Sequence, residues 1–269
     1  MQDRILKEKT IQIDDNTVID YYCASDIGVT RKENQDSFVV VTFRVLEKVY
    51  ILAVVADGMG GHINGLNASY TVKKVVLNML RDSEVKSEEE LIMIIDSCIV
   101  KANKEIFKSY KGKSGTTVVA LLLDGDNGYW WNIGDSRVYA VSSEQGVLEG
   151  HELLQLSKDH SLMQSLLDSG KLDSEQAKLF DKKNVLLRAL GVSMNVTRDT
   201  GTFVGADGYI LCSDGFWHLA TEKEIKNLIY SDEPLLDLDE LVSKVIKRGE
   251  RDNVTAVVLR KVVKKWVLT

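Results

Sequence analysis

The chain has 269 residues, 44% hydrophobic and 28% charged, enough to bury a large core, and a single domain is expected. A formal charge of −6 without a long Lys/Arg block argues against a nucleic-acid surface, and the short "RKVVKK" run at 260–265 reads as an exposed strand face. No apolar stretch approaches a membrane span, "MQDRILKEKT" has no signal-peptide core, and Cys23, Cys98 and Cys212 lack metal-type spacing, so a reducing, cytoplasmic setting without a membrane is expected.

In chain order, the first strong strand signal is "VYILAVVA", which runs into Asp57 and a glycine-rich turn. Two helical patterns follow, "LNASYTVKKVVLNMLRDS" and "SEEELIMIIDSCIVKANKEIFKSY", the second opened by Ser87 and Glu90 at capping-box spacing. Short β-branched or aromatic runs come next: "TTVVALLL", "WWNI", "RVYAV" and "GYILC". Between the first two, "DGDNG" at 124–128 half resembles a calcium loop but has Gly128 where a ligand is needed, so it reads as a hairpin turn. A second helical pair is "TEKEIKNLIY", with Thr221 and Glu224 at capping-box spacing, and "LDLDELVSKVIKRG", closed by Gly249. The single proline, Pro234, falls in an acidic loop between them, and "NVTAVVLR" is the last strand. This order disfavours a βαβ repeat and favours α+β, an antiparallel sheet covered by helices.

Aspartates stand at the ends of these strands. Asp57 closes one, Asp135 another in "NIGDSR", Asp214 a third in "LCSDGF", and Asp252 precedes a fourth in "RGERDNVTAVV". Any one of them alone reads as a turn-former. Together they imply carboxylates that would repel unless cations lay among them, and an all-oxygen set suits hard ions such as Mg²⁺ or Mn²⁺. Glycine beside Asp57 lets backbone approach an ion, so the Gly58 carbonyl is a candidate ligand.

The stretches "SDIGVTRKENQD", "VADGMGGH", "GTTVVA", "NIGDSRVYA", "SKDHS", "NVLLRALG", "CSDG" and "RDNVTAVV" resemble, in order, the successive motifs of the bacterial-type metal-dependent Ser/Thr protein phosphatases of the 2C (PPM) family. The resemblance spans residues 25–258. It implies a four-layer αββα fold, a central antiparallel β-sandwich flanked by helices, forming one catalytic domain over 1–269 with a flap at 161–191 beside the site. It further implies hydrolysis of phosphoserine and phosphothreonine by a metal-bridging hydroxide, opposing a Ser/Thr protein kinase. The expected cofactors are two core Mn²⁺ or Mg²⁺ ions and a third, weaker ion; the expected partners are phosphorylated proteins, met by a monomer.

By the same resemblance Asp57 bridges two metals, the Gly58 carbonyl lies on one, Asp214 and Asp252 on the other, and Asp36 reaches the second metal or its waters. Asp135 with Asp214 corresponds to the third ion's ligands, and Arg31 to the phosphate-binding arginine, a role that a planar guanidinium fork suits. Gln35 stands where some members carry Glu, and a neutral amide is not expected to ligate there. Met59 replaces the histidine that eukaryotic members carry after Asp-Gly. His62 and His160 are the nearest motif histidines, and the general acid stays unassigned. Leu162, Met163, Leu166 and Leu167 are expected to anchor the flap, with Lys171, Lys178, Lys182 and Lys183 facing solvent or an acidic phosphoprotein. Retention of Asp57, Asp214 and Asp252 favours an enzyme over an inactive scaffold.

Overall fold

The structure, a computed structural model, describes residues 4–60, 63–143, 151–178, 180 and 185–263. Its strands are β1 Ile5–Gln12, β2 Thr17–Asp26, β3 Asp36–Val45, β4 Lys48–Met59, β5 Gly115–Thr116, β6 Val118–Leu123, β7 Asn127–Ile133, β8 Arg137–Ser143, β9 His151–Gln155, β10 Asp199–Val204, β11 Gly208–Cys212 and β12 Val254–Val263. The helices are α1 Ile63–Arg81, α2 Glu88–Tyr110, α3 Leu162–Asp168, α4 Ser174–Lys178, α5 Asp214–Trp217, α6 Glu222–Tyr230 and α7 Pro234–Lys247. One sheet runs β1-β2-β12-β11-β8-β9 and the other β10-β7-β6-β4-β3, with β5 paired to β4; every pairing is antiparallel.

The central strands read as unbroken apolar runs because both faces of each sheet are covered. On β4, Ile51, Ala53 and Val55 enter the core between the sheets, while Leu52, Val54 and Ala56 face α1 and α2. The other sheet repeats the pattern on β12: Val257 and Leu259 face inward, and Ala256 and Val258 face α6 and α7. Each helix answers with apolar residues at three- and four-residue spacing, such as Leu91, Ile95, Cys98, Ala102 and Ile106 on α2. The order of layers is therefore helix pair, sheet, sheet, helix pair, as the family resemblance implied. All three cysteines are buried.

Several local expectations are refined. Pro234 lies at the start of α7 rather than in a loop, where its missing N–H costs nothing and its fixed φ fits the helix. At α2 the box is half formed. Ser87 accepts the Glu90 N–H at 3.2 Å, but the Glu90 carboxylate turns to the Lys86 N–H at 2.8 Å. The "DGDNG" segment is a hairpin, held by Asp124 Oδ1 accepting the Asn127 N–H at 3.0 Å. Strands β1, β2, β3, β9 and β10 were not among the runs picked out from sequence. Of the four edge strands β1, β9, β10 and β3, β1 and β10 alternate or carry polar residues throughout, in keeping with an unpaired, solvent-facing flank.

At α6 the box is complete, and the Glu224 carboxylate also takes both terminal nitrogens of Arg248 at 2.7 Å. Its pKa falls to about 2, the Arg248 hydrogen bonds being the main cause. A lowered carboxyl pKa contributes stability that is present above the unfolded value of 4.5 and lost as pH falls toward 2. Glu224→Gln is expected to cost about 1 kcal/mol near neutral pH, solvent screening this exposed pair, and clearly less at pH 2, where about half the carboxylates are protonated, measured by urea unfolding at both pH values.

Candidate active site

The strand registers place the acidic residues together. In one sheet Asp36, opening β3, stands opposite Asp57 near the end of β4. In the other, Cys212 pairs with both Arg137 and Ala256, which brings the turn holding Asp135, the start of α5 with Asp214, and the segment before β12 with Asp252 to one end. That shared end of the sandwich holds a pocket lined by Arg31, Gln35, Asp57, Gly58, Met59, Gly60, Thr117, Asp135, Leu186, Asp214 and Asp252. Of the described ligand, phosphate-binding and general-acid candidates, only Asp36 and His160 stand outside this lining.

Neighbouring groups hold the acids in place. Thr117 Oγ1 accepts the Asp57 N–H at 3.0 Å, and Thr116 Oγ1 donates to the Asp57 carbonyl at 2.8 Å. Ser213 Oγ donates to Asp36 Oδ2 at 2.8 Å. Asn253 pins the loop that carries Arg31: its Oδ1 accepts the Gln35 N–H at 2.9 Å, and its Nδ2 donates to the carbonyls of Ile27 and Glu33. Arg31 Nη2 lies 2.5 Å from Asp252 Oδ2. Trp217 Nε1 donates to the Asp135 carbonyl at 3.0 Å, and its ring lies under the Arg137 guanidinium, which Asp159 grips at both oxygens. Ser213 and Asn253 adjoin recognised aspartates, so the motifs contained them; the pairing of Arg137 with Asp159 left no local trace.

Two glycines are required by close approach. A Cβ on Gly58 would stand 2.2 Å from the Gly65 carbonyl oxygen and 2.7 Å from that of Gln35. At Gly28, where φ is +74°, a Cβ would stand 2.4 Å from the Asp252 carbonyl oxygen.

The electrostatics are those of crowded buried acids. Burial, then repulsion from Asp36, Asp214, Asp252 and Asp135, raises the Asp57 pKa well above the usual carboxylate range. Asp135 is raised by burial and by Asp214, and Asp214 by burial against the lowering influence of His218. Asp36 is pushed up to about 7, mainly by burial. One oxygen each of Asp36 and Asp214 is buried with no hydrogen-bond partner. Unpartnered carboxylate oxygens among mutually repelling acids fit hard divalent cations, which would satisfy the oxygens and offset the repulsion together. Among the described residues no three acidic, histidine or cysteine side chains stand in a closed ligand set, and Asp252 is turned toward Arg31.

The histidines separate. His62 lies outside the described residues. His160 is buried and outside the pocket: its Nδ1 accepts the Gly134 N–H at 3.1 Å, and Nε2 is 3.1 Å from both Asp199 and Arg188. Burial lowers its pKa, with Asp199 opposing. Neither ring nitrogen is free to serve a substrate. His218, which no recognised motif marks, follows α5 directly, with Nδ1 3.9 Å from Glu250. Within residues 161–191, Leu162, Met163, Leu166 and Leu167 are half-buried and Leu186 reaches the pocket, while Lys182 and Lys183 lie outside the described residues.

The sandwich ends in an acidic pocket rimmed by Arg31, chemistry suited to hard cations and a phosphoryl group. A family model described as Protein phosphatase 2C matches residues 29–259, and the chain belongs to that family. It is 32% identical over 246 residues to the serine/threonine phosphatase stp of Listeria monocytogenes, covering 88% of this chain and 94% of that one. Among solved structures, the Mycobacterium tuberculosis serine/threonine phosphatase PstP/Ppp superposes with a TM-score of 0.74 at 28% identity, over 90% of this chain and 98% of its own. The PstP catalytic domain in complex with 2 manganese ions gives 0.73 at 28%, over 91% and 99%.

Proposed function

We propose that the chain is a metal-dependent protein phosphatase acting on phosphoserine and phosphothreonine, with its site at the sandwich end that carries Asp57. The observation that carries this reading is the meeting of Asp57, Asp135, Asp214, Asp252 and Arg31 in one pocket, with a buried carboxylate oxygen of Asp214 left unpartnered. We assign Asp57, the Gly58 carbonyl, Asp214 and Asp252 to two core ions, Asp36 to the second of them or its waters, and Asp135 with Asp214 to a third. Manganese is favoured by the PstP complex, with Mg²⁺ chemically equivalent for an all-oxygen set. Held by these residues, such ions would supply charge neutralisation for the phosphoryl oxygens and a water acidic enough to serve as nucleophile near neutral pH.

The protein's own part is binding and orientation. Arg31 has one terminal nitrogen engaged by Asp252 and presents the rest of its fork to the pocket, where it can hold two phosphoryl oxygens. Met59 and Leu186 give the acidic floor an apolar lip, which excludes water from around the ester and strengthens each charge–charge contact within. Thr117, Ser213 and Asn253 fix the acids, so little reorganisation is needed during the reaction. We place this single catalytic domain in the cytoplasm as a monomer opposing a Ser/Thr kinase, with residues 161–191 as a flap; no helix among the described residues is long and apolar enough to cross a membrane.

Purified protein is expected to release phosphate from phosphothreonine peptides and from p-nitrophenyl phosphate with Mn²⁺, and to lose at least about 99% of that rate in excess EDTA, with recovery on adding Mn²⁺ back. Full turnover in EDTA would refute the metal-dependent reading.

A further inference from the structure

Residues 101–113 hold five lysines against one acid, Glu105, a local charge of +4. The whole chain carries −6, so the other residues together carry −10. Lys101, Lys104, Lys108 and Lys111 recur at three- and four-residue intervals, which puts them on one face over the last turns of α2 and its cap, and all four are exposed. None of these, nor Lys113, makes an ion pair among the described residues. The row is about 15 Å long, the span of roughly five extended residues.

Its lower end meets the pocket. Lys111 caps α2 in the left-handed region, with φ 53°, its N–H donating to the Phe107 carbonyl at 2.8 Å, and beyond this turn the Lys113 backbone passes beside the site. Gly60 lines the pocket, and a Cβ there would stand 3.0 Å from the Lys113 carbonyl oxygen. Ser114 Oγ donates to the Met59 carbonyl at 2.9 Å. The C-terminal end of the lysine row therefore adjoins the phosphate pocket through the backbone of Lys113 and the side chain of Ser114. A neighbouring groove along the same helix is lined by Met79, Asp96, Ser97, Val100, Lys101, Lys104 and Glu105, so its charge is mixed and the row itself, not this groove, carries the positive face.

We propose that this lysine row is a docking surface for an acidic stretch of the phosphoprotein substrate, engaging residues that flank the phosphorylated side chain. This rests on the phosphatase reading of the pocket and adds to it a substrate class: phosphosites with carboxylates or further phosphates several residues away. Opposite charge across such a surface favours encounter and lowers KM without touching the chemistry. A nucleic-acid occupant is less favoured, since the row is single, the chain is acidic overall, and the row ends at a phosphate-ester pocket.

The test compares phosphothreonine peptides of equal length whose flank, on the N- or C-terminal side, is five acidic or five neutral polar residues. Wild-type protein with Mn²⁺ is expected to turn over the acidic-flanked peptide of the favoured side with about tenfold higher kcat/KM, carried by KM and lost in about 0.5 M salt. Lys104→Glu with Lys108→Glu should abolish that preference and leave p-nitrophenyl phosphate hydrolysis within about twofold. Lys104→Gln with Lys108→Gln, should the reversal misfold, is expected to cut the preference to about a third. Equal rates of wild-type protein on acidic and neutral peptides would overturn the proposal, as would a preference that survives both variants. Loss of single-stranded RNA binding in the variants without change on peptides would assign the row to nucleic acid instead. Failure of wild-type protein on p-nitrophenyl phosphate would refute the phosphatase reading and not this surface alone.

Discussion

Asp57→Asn is expected to lower kcat/KM on both peptide and aryl phosphates by at least about 10³-fold, because the carboxylate assigned to both core ions loses its charge at the centre of the site. The same change should make the metal-free protein more stable at neutral to alkaline pH. Asp57 is half-buried and faces four other acids, and its pKa stands well above 3.8 in the fold. A raised carboxyl pKa means the native state holds protons that the unfolded chain has released. Stability of the metal-free protein then falls as pH rises above the unfolded carboxyl value of 3.8, and Asp36 adds its own loss up to about pH 7. The substituted amide carries no charge to bury, so the melting temperature of the EDTA-treated variant should exceed that of wild type at pH 8 and match it near pH 4. Asp135→Asn, which lowers repulsion at one edge only, should keep two metals by calorimetric titration and lose activity by about tenfold. Loss of all metal binding in that variant would overturn the division between core and third ion.

Much of this site was legible because chemistry and punctuation coincide. Asp57, Asp135, Asp214 and Asp252 each end or precede an apolar run and each sits beside glycine or a polar turn residue, a pattern that a turn explains once and a metal centre explains four times. The layered core was legible for a related reason: β4, β6, β11 and β12 are covered on both faces, so their sequences are uniformly apolar. What was not legible depends on register. Asp36 meets Asp57 only because β3 and β4 pair at that offset, and Asp159 reaches Arg137 only because Val138 receives the Leu156 N–H across the adjoining edge. The edge strand β1 has six consecutive exposed positions, so burial printed no alternation on it. His160 looked like a catalytic candidate because it adjoins a motif. Its two ring nitrogens are instead spent on Gly134 and Asp199, joining the turn that bears Asp135 to the start of β10.

Gly58→Ala carries the second large effect, and its signature separates it from the loss of a ligand charge. The added Cβ would meet the Gly65 carbonyl at 2.2 Å and the Gln35 carbonyl at 2.7 Å, both backbone atoms that no rotamer change can move. Relief requires β4 to part from the start of α1 or from the loop that Asn253 holds, and the Gly58 N–H donates to that same Gln35 carbonyl at 3.1 Å. Overpacking of this kind is expected to cost about 3 kcal/mol, or roughly 6–12 °C in melting temperature for a chain of this size. Any shift of β4 there also moves the Gly58 carbonyl and the adjoining Asp57, so kcat should fall by about 10²-fold or more even where the protein is fully folded. Differential scanning fluorimetry and steady-state kinetics at about 15 °C, below the melting range of mesophile domains, would separate the two variants. Asp57→Asn should be inactive and at least as stable as wild type without metal, Gly58→Ala inactive and less stable with or without it. An active, fully stable Gly58→Ala protein would show that β4 and α1 do not approach as closely as the fold requires, and the assignment of the Gly58 carbonyl to a core ion would fall with that contact.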